Sequence, residues 1–148
     1  MKKIILSVAT ALSLMTSLVA QESKSYNKGI NIIPMPKELT TQQGEFVLSH
    51  KTTLVASGKE AMTIAKFFQA KMQASTGLPL AVKSSGASQS IKLSINPKLK
   101  GLGKEGYTLV SSPKGVEVVG VSAEGLFWGM QSLMQLLPAE IEAKTKVK

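Results

Sequence analysis

Two apolar stripes at helical spacing, separated by short runs of two-residue alternation, constrain this chain more than any other feature. Ala61, Ile64, Ala65, Phe68 and Met72 fall at i, i+3, i+4, i+7 and i+11, one face of one helix. Leu126, Met130, Leu133, Met134 and Leu137 make a second stripe. Neither helix can bury its stripe alone, so each needs a sheet or another helix beneath it. Ser57 followed by Glu60 has the capping-box spacing and predicts the start of the first helix. Gly77, then Leu78 and Pro79, predicts its end. Ser122 and Glu124 suit the first turn of the second helix, and Pro138 closes it.

The strands are read from alternation and turn chemistry. Ile32-Ile33-Pro34-Met35-Pro36 is held extended by its prolines. Residues 38–41 and 45–48 are expected to pair as a hairpin around Gln42-Gln43-Gly44, and Thr53 to Ala56 is a further short β run. Leu80 to Lys83 reads as a strand, and residues 84–90 as a polar loop. Ile91, Leu93 and Ile95 alternate with Lys92, Ser94 and Asn96, a half-buried strand. Residues 107–111 and 116–121 form a hairpin through Ser112-Pro113-Lys114-Gly115, a type I turn sequence. The expected fold class is α+β: a two-layer sandwich whose sheet is mostly antiparallel or mixed, with two helices packed on one face. No internal repeat is present.

The first twenty residues read as a secretory signal. Lys2 and Lys3 precede an apolar run from Ile4 to Val19, and Ala20 is suited to the position before cleavage, although Leu18 is larger than usual there. A membrane anchor is the competing reading, but the run is short for a span and polar residues 21–24 follow it. The expected organisation is a signal over 1–20, a flexible tail over 21–29, one domain over 30–138, and the start of a linker over 139–148. About 128 residues remain after cleavage, enough for one core without disulfides. No Cys is present, so a lipid-anchored Cys is excluded. The compartment expected from the signal is periplasmic or extracellular.

Composition narrows the function classes. The net charge is +9, and every basic residue is Lys. The lysines are spread along the chain and no Arg offers a fork for phosphate, which argues against nucleic acid as a partner. The single His, His50, lies in a polar Ser49-His50-Lys51 turn without Cys or Asp to complete a metal site or relay. Gly101-Leu102-Gly103-Lys104-Glu105-Gly106 has the spacing G-x-G-x-x-G, but a strand follows where a dinucleotide site needs a helix. It reads as a flexible loop. Gly125 and Gly129, one turn apart, read as a close helix-to-sheet contact rather than a membrane dimer motif. Glu140 and Glu142 are near each other in sequence but sit in the terminal polar segment, an unsuitable place for a glycosidic acid/base pair. Trp128 and Tyr107 are candidates for stacking on a sugar; Trp128 is also placed to be covered by a neighbouring domain. No catalytic, cofactor-binding or metal-ligating residue is assigned.

Three segments together resemble the N-terminal α/β domain of family-20 glycoside hydrolases. They are Ile32-Ile33-Pro34-Met35-Pro36-Lys37 with Gly44-Glu45-Phe46-Val47-Leu48, then Glu105-Gly106-Tyr107-Thr108-Leu109, and then residues 125–138. The last is the most specific, with Gly125, the aromatics Phe127 and Trp128, Gly129, Gln131, Ser132 where Thr is common, and Leu133. The resemblance implies a following (β/α)₈ barrel that removes terminal β-linked N-acetylhexosamine from glycans. It also implies an Asp-Glu pair in that barrel. There the Glu is the general acid, and the Asp orients the substrate's own acetamido group as nucleophile. This sequence has no Asp, and a barrel takes about 250 residues, so no family catalytic residue maps onto it. The expectation is a non-catalytic accessory domain, seen as a fragment or truncated product. Its partner would be the barrel of the same polypeptide, with glycan reached only through that barrel. A stand-alone carbohydrate-binding or interaction module is the alternative, and salt-sensitive binding to anionic polymers a third.

Overall fold

The computed structural model describes residues 30–138, apart from positions 42 and 87. The expected signal, tail and linker lie outside the described residues. The elements in order are β1 (Thr53–Ala56), α1 (Lys59–Thr76), β2 (Ala81–Lys83), β3 (Ser90–Ile95), β4 (Tyr107–Ser112), β5 (Gly115–Gly120) and α2 (Ala123–Gln135). They form one five-stranded sheet in the order β2-β1-β3-β5-β4.

The sheet is mixed, with parallel pairing dominant. β1 pairs parallel with β2 and with β3, and β3 parallel with β5; only β4 and β5 are antiparallel. The expected two-layer α+β form with a mixed sheet is what the structure shows, and parallel pairing dominates in it for two physical reasons. The chain leaves β1, crosses over through α1 and returns beside β1 in the same direction, as a helical crossover requires. In addition, the hairpin expected over 38–48 does not form: no strand is assigned among the described residues of that segment. The β4–β5 hairpin does form, with Ser112 opposite Gly115 and Pro113-Lys114 as its two-residue turn.

The register builds the core. Leu54 lies beside Ile91 and Ile91 beside Val116; one step along, Ala56, Leu93 and Val118 make the next row. All six are buried, together with Ala61, Ala65, Phe68 and Met72 of α1 and Leu126, Met130 and Leu133 of α2. Full burial of a side chain such as Phe68 or Leu126 contributes about 1.5–3 kcal/mol. α1 packs on β1, β2 and β3, α2 on β3, β4 and β5, and the helices touch each other, so both cover one face.

Two helix ends show how local geometry is set. α1 is capped by Gly58, not Ser57, and no side chain closes its first turn. Gly58 has φ +91 and ψ 163, and its carbonyl accepts the Met62 amide at 3.0 Å. Ser57 lies one position before the cap and directly after β1, its amide bonded to the Leu93 carbonyl at 3.1 Å. The other end follows expectation: Gly77 is left-handed and its amide bonds the Gln73 carbonyl.

The segment before β1 closes one end of the sandwich. Ile32 is buried, and Phe46 and Leu48 pack against the core while Val47 between them points outward. Gln135, in the last turn of α2, grips the backbone of Ile33 at two points. Its Oε1 accepts the Ile33 amide at 2.7 Å and its Nε2 donates to the Ile33 carbonyl at 3.0 Å.

Candidate functional site

The G-x-G-x-x-G segment is a loop that leads into β4, so no helix starts where a pyrophosphate would need one. It is stitched to the start of α2 rather than left free. The Val121 amide bonds the Gly106 carbonyl at 2.9 Å, and the Ser122 hydroxyl lies 2.9 Å from the Lys104 carbonyl. Lys104 Nζ also lies 2.9 Å from the Glu124 carboxylate. Ser122 caps α2 as expected, accepting from the Gly125 amide at 3.3 Å. Its oxygen is also 2.6 Å from Glu124, and its one proton serves a single acceptor at a time. The Ser122 hydroxyl and the Lys104 ammonium hold the Glu124 carboxyl down at about 2. These contacts fix a loop and a helix end; they assemble no reactive group.

The two glycines of α2 mark close approach. A Cβ on Gly129 would sit 2.5 Å from a Val118 methyl and about as close as 3.0 Å to the Tyr107 ring. One on Gly125 would collide with the Gly106 carbonyl oxygen. Tyr107 is thereby committed to packing: its ring lies on Gly129 and its hydroxyl shares a hydrogen bond with Ser132. Of the two aromatics considered for stacking on a sugar, Tyr107 is thus engaged within the domain, while Trp128 stays exposed on the helix face. His50 is exposed in the turn that precedes β1, where Thr52 is bonded back to Ser49. Glu140 and Glu142 lie outside the described residues. Among the described residues no three of His, Cys, Asp and Glu gather as a metal-ligand set.

The sheet face away from the helices carries a shallow open groove. Ser90 and Ser112 form part of its floor, and Lys92, Lys114, Val110 and Glu117 line it. Glu117 is the single carboxylate in that lining, so no acid/base couple faces across it.

The surface that stands out is the outer side of the two helices. Phe67 of α1 is 53% exposed and Trp128 of α2 is 47% exposed. Phe127 lies between them, its ring centroid 6.0 Å from Phe67 and 5.5 Å, edge to face, from Trp128. Three aromatic rings thus run across the helix pair on the side opposite the sheet. Trp128 was visible in the sequence as a residue off the buried stripe. Phe67 was missed; the signal for it was a bulky aromatic next to Phe68, on a helix whose buried stripe has no room for both.

Comparison with known proteins places this architecture. Residues 29–148 match the family model described as glycosyl hydrolase family 20, domain 2. The chain is 42% identical over 124 residues to a beta-hexosaminidase of Porphyromonas gingivalis, which covers 82% of this chain and 16% of that protein. It is 31% identical over 98 residues to a lacto-N-biosidase of Bifidobacterium bifidum, covering 66% of this chain and 8% of the other. Among solved structures, the GH20 beta-N-acetylhexosaminidase of Streptomyces coelicolor superposes with a TM-score of 0.72 at 30% identity, over 79% of this chain and 23% of that one. The chain thus spans a small part of the length of each of these relatives. On that match and that fold, the chain belongs to glycosyl hydrolase family 20 and carries the family's domain 2.

Proposed function

We propose that this chain is the exported, non-catalytic N-terminal domain of a β-N-acetylhexosaminidase that removes terminal β-linked N-acetylhexosamine from glycans. Its helix face docks on a catalytic (β/α)₈ barrel of the same polypeptide. The observation that carries this is the 42% identity to a beta-hexosaminidase that is several times longer than the matched segment. Three features of the chain itself support it. The sequence has no Asp, so the Asp-Glu pair implied by the family resemblance must lie elsewhere. The groove on the open sheet face holds one carboxylate. The rings of Phe67, Phe127 and Trp128 leave an apolar face of the kind that marks a protein contact. Export rests on the basic, then apolar, then small-residue order of residues 2–20.

The test is to read the gene past the codon for Lys148 and to express the longer product. An open frame encoding a barrel with an Asp-Glu pair is expected, and the longer polypeptide should hydrolyse a chromogenic β-N-acetylglucosaminide that the 148-residue chain leaves untouched. A stop codon at that point with no barrel in frame would overturn the enzyme reading. A stand-alone glycan-binding module would instead show glycan affinity in the 148-residue chain that Trp128→Ala abolishes. N-terminal sequencing of the mature product should begin at Gln21; an intact Met1 in the cell extract would overturn export.

A further inference from the structure

We infer that Ile33 is a docking anchor, held out by Gln135 so that it extends the aromatic helix face into one continuous surface for the catalytic domain. The inference rests on the domain reading above and goes beyond it by adding the N-terminal segment to the interface.

Ile32 and Ile33 are neighbours with opposite fates. Ile32 is 8% exposed and part of the core, while Ile33 is 81% exposed. A lone exposed isoleucine is ordinary. This one is not on a loose strand of chain, because both polar groups of its backbone are held by the Gln135 side chain, at 2.7 and 3.0 Å. The fold therefore holds in place the backbone that presents an apolar side chain to water, and a held backbone has less freedom to lose when a partner covers it.

Its position follows from helix geometry. Gln135 is seven residues after Trp128, two turns along the same side of α2. The residue that holds Ile33 thus lies on the side of α2 that carries Trp128, and Leu136 beside Gln135 is also exposed. The last described residue, Pro138, follows Gln135 by three positions, so the C-terminal end of the described residues lies beside this surface. The relatives are far longer than the matched segment, and the part of the same polypeptide beyond this segment is the occupant that the geometry selects.

The experiment compares melting temperatures of variants in two contexts, the longer polypeptide and the 148-residue chain. Ile33→Ser is expected to lower the melting temperature of the longer polypeptide by roughly 2–4 °C and that of the 148-residue chain by less than about 1 °C. Gln135→Ala should act in the same direction in the longer polypeptide, and adding Ile33→Ser to it should cost little more, since both remove one anchor. Trp128→Ser serves as the reporter of helix-face docking. If it destabilises only the longer polypeptide while Ile33→Ser moves neither or both alike, the helix face docks and the anchor is overturned. If Trp128→Ser also has no effect specific to the longer polypeptide, the domain reading falls with it. A 148-residue chain that sediments as a dimer, and as a monomer after Ile33→Ser, would make a second copy the occupant and overturn the proposal.

Discussion

At the scale of single residues, an ion pair sits where a loop meets a helix. Glu124 accepts from Ser122 and from Lys104, and its carboxyl is held at about 2 against an ordinary 4.5. Lys104 is shifted upward by the same hydrogen bond. A carboxyl depressed in the fold stabilises it above the unfolded value and loses that contribution as pH falls from about 4.5 towards 2. Both groups are exposed, so the effect is small and screened by salt. Glu124→Gln is expected to flatten the acid limb of a stability-against-pH curve between those values, with little change near pH 7 beyond the lost ion pair. Denaturant titrations from pH 2 to pH 7 at low salt check this; an unchanged acid limb would show that the contact does not survive in solution. The sequence offered Ser122 and Glu124 as a cap, and both serve in it. It gave no sign that Lys104, eighteen residues from Ser122, completes the cluster, because that pairing depends on where the loop folds back.

At the scale of elements, helices were legible and sheet partners were not. Apolar spacing alone located α1 and α2 because each stripe is buried on one core. The alternation of Phe46, Val47 and Leu48 is equally real, with two side chains inward and one outward, yet it marks an extended segment closing the core rather than a strand in the sheet. Period-two patterning reports which side is buried and is silent on whether a ladder partner exists. The same limit hid the parallel pairs, since only the β4–β5 hairpin has a turn short enough to announce itself. The start of α1 was displaced by one residue because the cap there depends on backbone shape. With φ +91 and ψ 163, Gly58 occupies a region closed to other residues, and no neighbour crowds the position. Gly58→Ala is therefore expected to destabilise by about 1–3 kcal/mol through backbone strain alone. Urea unfolding of the 148-residue chain measures it, and a loss below about 0.5 kcal/mol would mean that β1 and α1 can join through another conformation.

At the scale of the whole molecule, the domain has one side finished and one side open. The sheet face away from the helices directs Lys83, Lys92, Glu117 and Thr108 to solvent, with Val110 as a single exposed apolar side chain among them. The helix side instead leaves Phe67 and Trp128 about half exposed after the core beneath them is complete. In the sequence only Trp128 points to the open side, because exposure of an aromatic depends on how the two helices meet, which no local pattern contains. If that side is an interface, its rings should matter for association and hardly at all for folding. In the 148-residue chain, the double variant Phe67→Ser and Trp128→Ser is expected to abolish binding of an apolar fluorescent dye. Its stability should change by no more than about 3 kcal/mol, the order of the two ring contacts, Phe67 with Phe127 and Phe127 with Trp128, that are given up. Dye titration and urea unfolding on the same samples separate the two effects. A loss of several kcal/mol would make the rings part of the core, and dye binding that survives the double variant would place the open apolar surface elsewhere on the domain.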